Sequence, residues 1–253
     1  EFLVTFNGKA FDVNLLSTRF VMNRLPDPLA QLPHLDLLHP TRRLLGHRLE
    51  NSRLGTVEQH VLGLERGDDI PGWEIPGRYF RWLRHRHPRF MVDVFRHNHL
   101  DVVSLSALAR HLSGIMTGEG ERLQEREGDH LAAARLLIDR TRHQQGRSRL
   151  HELCASCHPQ VTREARRQLS LHLKRDKDWK GAVALWEEML AADPADCFAC
   201  EELAKWYEHR DKNSEQALFL VCSTLELISD RSYDERKPLL YRRSRLEKKC
   251  GKP

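Results

Sequence analysis

No run of about 20 apolar residues occurs anywhere in this 253-residue chain, so the sequence offers no membrane-spanning helix. No basic segment followed by an apolar run opens it either, so no signal peptide is visible and a cytoplasmic location is the expectation. Six cysteines in a chain of this length do not make a disulfide scaffold, which agrees with a reducing compartment. Charge is not one-sided: 41 Lys and Arg against 36 Asp and Glu leave a net charge of +5. That mild excess permits nucleic-acid binding without requiring it. The chain does have 40% hydrophobic and 30% charged residues, the balance of a globular protein, and a length suited to one large or two modest domains.

The stretch from Arg96 to Leu105 carries the first chemistry. His97 and Asp101 stand four residues apart, ahead of apolar residues at Val102, Leu105, Leu108 and Leu112. That spacing is helical and puts the imidazole and the carboxylate on one helix face. There the carboxylate can hold a divalent metal ion while the imidazole handles a water proton. The plainer reading is an ordinary surface pair.

Near the N-terminus an apolar, strand-like run, Phe2–Phe6, ends in Asn7-Gly8 and leads into a helix-like run carrying Phe11 and Asp12. Asn7-x-x-x-Phe11-Asp12 after a strand resembles the second motif of the DEDD 3′–5′ exonucleases. His97-x-x-x-Asp101 resembles their third motif. Between them, His34–Pro40, Asp69-Ile70-Pro71-Gly72 and Glu74-Ile75-Pro76 resemble the YprB-type branch of that family.

The resemblance implies an α/β, RNase H-like domain over residues 1–113. It also implies metal-dependent 3′–5′ exonuclease activity on DNA or RNA, with two Mg²⁺ or Mn²⁺ ions. Asp12 and Asp101 would then be metal ligands, and His97 would orient and deprotonate the attacking water. Asn7 would orient substrate or the Asp12 loop, and Phe11 would wedge against a terminal base. Asn7 also reads as a plain turn residue and Phe11 as core; for Phe11 the core reading is the stronger. The family's first motif, Asp-x-Glu, does not occur before Asp12. The domain is therefore expected to be N-terminally incomplete, to hold half of the metal site, and to be inactive by itself.

Residues 77–90 hold five arginines, two histidines and no acid, interleaved with Tyr79, Phe80, Trp82 and Phe90. Arg78, Arg81 and Arg84 are candidates for gripping nucleic-acid phosphates, with aromatic rings for stacking bases. The alternative is an amphipathic helix with a solvated basic face. In residues 54–63, Thr56 and Gln59 fit a capping box and Gly63 a helix stop. His99 and His111 are expected to face solvent, and Asp36 to be structural.

A Gly-rich, charged stretch at 114–129 reads as a linker. From 130 to 253 the chain reads as all helix, with two helix pairs repeating at about 34 residues. Leu169 and Ala182 correspond to Leu203 and Ala217, and the turns Arg175-Asp176-Lys177 and Arg210-Asp211-Lys212 match. That is the tetratricopeptide period, and such repeats bind protein partners. Cys154-x-x-Cys157-His158 has the form of a haem attachment site, but nothing suggests the export that haem attachment requires. Together with Cys197-x-x-Cys200 it offers four thiols for zinc; the competing reading is small apolar residues at packing positions. The other function class is a non-catalytic scaffold that binds nucleic acid or protein through the repeats.

Overall fold

The computed structural model describes residues 1–118 and 126–251. The chain divides into two compact units, Glu1–Leu136 and Leu137–Pro253.

The first unit opens with a β-α-β element: β1 (Leu3–Thr5), α1 (Asp12–Met22) and β2 (His34–Asp36). The strands pair in parallel, with Leu3 opposite His34 and Thr5 opposite Asp36. β1 is shorter than the strand-like run Phe2–Phe6. Asn7 takes a left-handed conformation with φ 68°, which ends the extended run. Gly8 is required beside it, since a Cβ there would lie 2.5 Å from the Thr5 Cβ.

α1 buries none of its residues. Phe11, whose stronger reading was core, is 66% exposed. It stands at the N-cap of α1, outside the helical stripe, with φ −127° and ψ −75°.

α2 (Leu38–Leu45) follows, then α3 (Leu54–Val57), which runs into one wider π-type turn at Glu58–Leu62. Gly63 ends that turn at φ 65°, the stop read from the sequence. The capping box does not form. The helix starts earlier, at Leu54, and the Thr56 hydroxyl donates to Asn51 Oδ1 at 2.8 Å.

α4 (Ile75–His85) and α5 (Arg89–Thr117) divide the basic segment between them. Arg86 turns left-handed at φ 53°, and Pro88 disfavours helix at the residue before it, so the chain breaks at 86–88. The core of this unit joins Leu37, Leu44, Leu45, Val57, Leu108, Leu112 and Ala133. Burial on α5 is confined to its C-terminal half: Ser104, Leu108, Leu112 and Ile115.

α6 spans Glu127–Asp139. The linker expected at 114–129 falls partly on residues 119–125, outside the described residues. The compact division lies later, at 136/137. Its cause is visible on α6, where Ala133 enters the first core and buried Asp129 takes two hydrogen bonds from Arg48, at 2.9 and 3.0 Å.

The described part of the second unit is helical throughout: α7 (His143–Leu153), α8 (Pro159–Arg175), α9 (Trp179–Ala192), α10 (Cys197–Trp206), α11 (Ser214–Leu227) and α12 (Tyr233–Lys249). α7 has no counterpart in the sequence reading. The matched turns adopt matched shapes, with Lys177 at φ 67° and Lys212 at φ 61°. Each is followed by the same cap: the Asp178 carboxylate accepts from Gly181 N–H, and Asn213 Oδ1 accepts from Gln216 N–H. Ala182 and Ala217 are both fully buried, as one expects of equivalent positions.

Candidate active site

The site is built from the loop after Gly63 and the N-terminal half of α5. Arg66 projects from that loop, and three carboxylates converge on it. Glu58, on the π-type turn, takes two hydrogen bonds from Arg66 at 2.5 and 2.7 Å. Asp69 takes one at 3.0 Å and Asp101 one at 2.5 Å. The Glu58 side chain is 1% exposed, so its charge depends on this partner. The three acids hold the Arg66 proton more tightly than usual, against a burial that pulls the other way.

His97 joins the same network. Its Nδ1 lies 2.8 Å from Asp69 Oδ2, and its Nε2 lies 3.7 Å from Asp101 Oδ2. Burial raises the Asp69 carboxyl, but hydrogen bonds from Arg66 and His97 outweigh it and leave the group below the usual carboxylate range. The helical spacing of His97 and Asp101 therefore does place them side by side, 18% and 33% exposed. The sequence reading missed the groups that hold them. Glu58 and Arg66 carried no motif, and Asp69 entered only as part of a resemblance.

Asp12 opens α1, where the helix N-terminus favours a negative charge, and its side chain is exposed. It takes no part in the Arg66 network. Asn7 acts through its backbone: its N–H donates to Asp36 Oδ1 at 2.7 Å. The buried Asp36 also accepts from Lys9 N–H and Leu38 N–H at 3.0 and 3.1 Å. Burial raises its carboxyl, and the three backbone donors together bring it below its ordinary value. Asp36 thus ties the loop between β1 and α1 to the end of β2, fixing the turn that delivers Asp12.

In the basic segment Arg78 is already engaged, donating to Asp93 at 2.6 Å and to Glu74 at 3.2 Å. Arg81 and Arg84 are exposed. The guanidinium of Arg86 sits 5.2 Å over Trp82, and that of Arg89 sits 4.8 Å over Phe90. Tyr79 and Phe80 expose 44% and 57% of their surface.

Two further expectations meet the structure here. His99 is exposed, whereas His111 is half-buried, and its Nε2 has no hydrogen-bond partner among the described residues. Burial first, then Arg126 and Arg48, push the His111 imidazole below its ordinary value. Among the described residues no cluster of three ligating atoms joins the two Cys-x-x-Cys pairs. Cys200 lies in the core with Ala204, Ala217 and Val221, the packing role weighed against zinc.

The family model of the RNase H superfamily matches residues 1–113, so the chain carries an RNase H superfamily domain there. Over 251 residues the chain is 34% identical to YprB of Bacillus subtilis (strain 168), an uncharacterized protein. That match takes in 98% of the chain, which spans 60% of the length of YprB. No solved structure matches. No helix among the described residues is long and apolar enough to cross a membrane.

Proposed function

We propose that this chain is part of a metal-dependent nuclease that removes nucleotides from the 3′ end of DNA or RNA. The observation that carries the reading is the Arg66 network. Within the residues that the RNase H superfamily model matches, it holds Asp101 and His97 side by side on α5, the pair whose spacing resembles the third exonuclease motif. Asp12 lies in the run that resembles the second motif, and Asp36 fixes the turn before it.

The donor chemistry fits the expected metal. Carboxylate oxygens are the ligands that Mg²⁺ and Mn²⁺ prefer, and Asp12 and Asp101 would supply them, with Asp101 held by Arg66. When bound, the ions would stabilise the charge that develops on the attacking and leaving oxygens. His97 would orient the nucleophilic water and accept its proton at Nε2. Exposed Phe11 would stack on the terminal base, and Arg81 and Arg84 would bind backbone phosphates.

Asp12 and Asp101 are two of the four acids such a site uses. The chain alone is therefore expected to hold the metal pair weakly and to turn over little or no substrate. The test is a 3′-labelled single-stranded oligonucleotide with Mn²⁺. It is given to the chain and to a form carrying an added N-terminal strand with Asp-x-Glu. Release of 3′ nucleotides by the extended form, abolished by Asp101→Asn, supports the reading. Metal-dependent degradation by the short chain would refute the four-acid mechanism.

A second reading rests on the second unit. The matched turns at Lys177 and Lys212 and the matched caps at Asp178 and Asn213 support a tetratricopeptide-like repeat. In that reading the repeats bind a protein partner and the first unit serves as a scaffold. An inert extended form whose helical unit still retains a partner would favour it.

A further inference from the structure

We infer that Asp69 is the positioning residue of this site: it holds His97 with its proton on Nδ1 and keeps Nε2 open toward a water beside Asp101. The inference rests on the nuclease reading for its use of that water, but its structural content stands by itself.

An ionised carboxylate only accepts hydrogen bonds. Asp69 Oδ1 accepts from the Ile70 N–H at 2.9 Å, and Oδ2 accepts from Arg66 Nη1 at 3.0 Å. Both oxygens therefore face donors, and the guanidinium beside them keeps the group charged. The 2.8 Å contact between Oδ2 and His97 Nδ1 then needs a proton on the nitrogen. With Nδ1 protonated, Nε2 of the neutral ring carries a lone pair. An acid that sets a histidine's tautomer through its far nitrogen is a recurring arrangement where an imidazole works as a base.

The other side of the ring shows where the lone pair points. Nε2 faces Asp101 Oδ2 at 3.7 Å. Two acceptors at that distance make no direct hydrogen bond, but one water molecule can donate to both. Asp101 is held in place for this by its other oxygen, Oδ1, which takes the 2.5 Å hydrogen bond from Arg66 Nη2. One guanidinium thus orients both acids: the one that sets the tautomer and the one across from the open nitrogen.

The proton balance follows. When the water attacks phosphorus, one of its O–H bonds breaks and the proton goes to Nε2. The oxygen forms the new bond to phosphorus as the bond from phosphorus to the preceding nucleotide's 3′ oxygen breaks; that oxygen leaves and takes a proton from solvent, and the imidazolium stays stabilised by Asp69. The Nδ1 proton remains on the ring.

The experiment is nitrogen NMR of the full chain with ¹⁵N-labelled histidine, at a pH where the rings are neutral. His97→Gln identifies the His97 signals among the fifteen histidines. The expected wild-type pattern is a pyrrole-type signal at Nδ1 and a pyridine-type signal at Nε2. Asp69→Ala removes both acceptor oxygens and leaves Nδ1 without the partner that holds its proton. It should cost the pyridine-type Nε2 signal, while Asp93→Asn, elsewhere on α5, should leave it. A wild-type proton on Nε2 overturns the inference without any variant. So does an unchanged tautomer in a folded Asp69→Ala protein. The two claims fail separately. An Nδ1–H tautomer in an inactive nuclease sinks only the nuclease reading. An active nuclease with Nε2–H sinks only this one.

Discussion

Arg66 Nη2 lies 2.5 Å from Asp101 Oδ1, joining a loop to the middle of a helix 35 residues further along the chain. The same guanidinium neutralises Glu58, whose side chain is almost wholly enclosed. The first unit therefore places its candidate chemistry on a charge network rather than on apolar packing, since α5 buries nothing before Ser104.

Removing Arg66 should cost stability as well as order at the site. Arg66→Met leaves Glu58 as a buried, uncompensated charge, a change that costs on the order of 3–5 kcal/mol. Denaturant unfolding measures it. Adding Glu58→Gln to Arg66→Met should recover part of the loss, because the orphaned charge is then gone. Equal stability of the single and double variants would mean that the network is not coupled in this way.

Glu202 makes the pH dependence of the second unit specific. Burial raises its carboxyl, but Lys174 at 2.5 Å and Lys205 at 2.7 Å outweigh that and hold it below its ordinary value of 4.5. A carboxyl lowered on folding contributes stability that is present above its unfolded pKa and lost as pH falls through the folded one. Wild type should therefore lose stability below about pH 4.5 more steeply than Glu202→Gln. Parallel stability curves across that range would count against the triad.

Thiol labelling should be uneven. Burial pushes both Cys154 and Cys200 up to about 11, whereas Cys157 is exposed. Only the thiolate alkylates readily, so at pH 8 iodoacetamide should modify Cys157 first and Cys200 last. Mass spectrometry of a time course reads the order. Rapid labelling of Cys200 would show that α10 opens far more easily than its packing implies.

The basic segment divides into two kinds of arginine. Replacing Arg81 and Arg84 with Ala should weaken nucleic-acid binding evenly across sequences. The salt slope should drop by roughly one for each phosphate that is no longer neutralised. Arg78→Ala should instead act on folding, since it breaks the ion pairs with Asp93 and Glu74. An unchanged slope in the double variant would leave Arg81 and Arg84 as a solvated helix face.

Local signals in the sequence carried over well. Gly63 stops its turn at positive φ, and the two Arg-Asp-Lys turns share a conformation because each closes a helix and precedes a side-chain cap. What stayed hidden was set by distant partners. Glu58, Arg66 and Asp69 form no pattern along the chain, because their meaning comes from α5. Phe11 and His111 were read from residue type and periodicity, but their burial depends on what packs against α1 and α5. Arg78 looked like its basic neighbours until Asp93 met it across a helix break.

In the proposed function, one divalent-metal site would draw a ligand from each of two helices, Asp12 from α1 and Asp101 from α5. Mn²⁺ binding followed by electron paramagnetic resonance tests it most directly and needs no turnover. The account predicts weak binding by the chain, and a further loss of about tenfold, some 1.4 kcal/mol, on either Asp12→Asn or Asp101→Asn. The double variant should lose little beyond either single one, because one site is lost once. Binding unchanged by both substitutions, or losses that simply add, would contradict it.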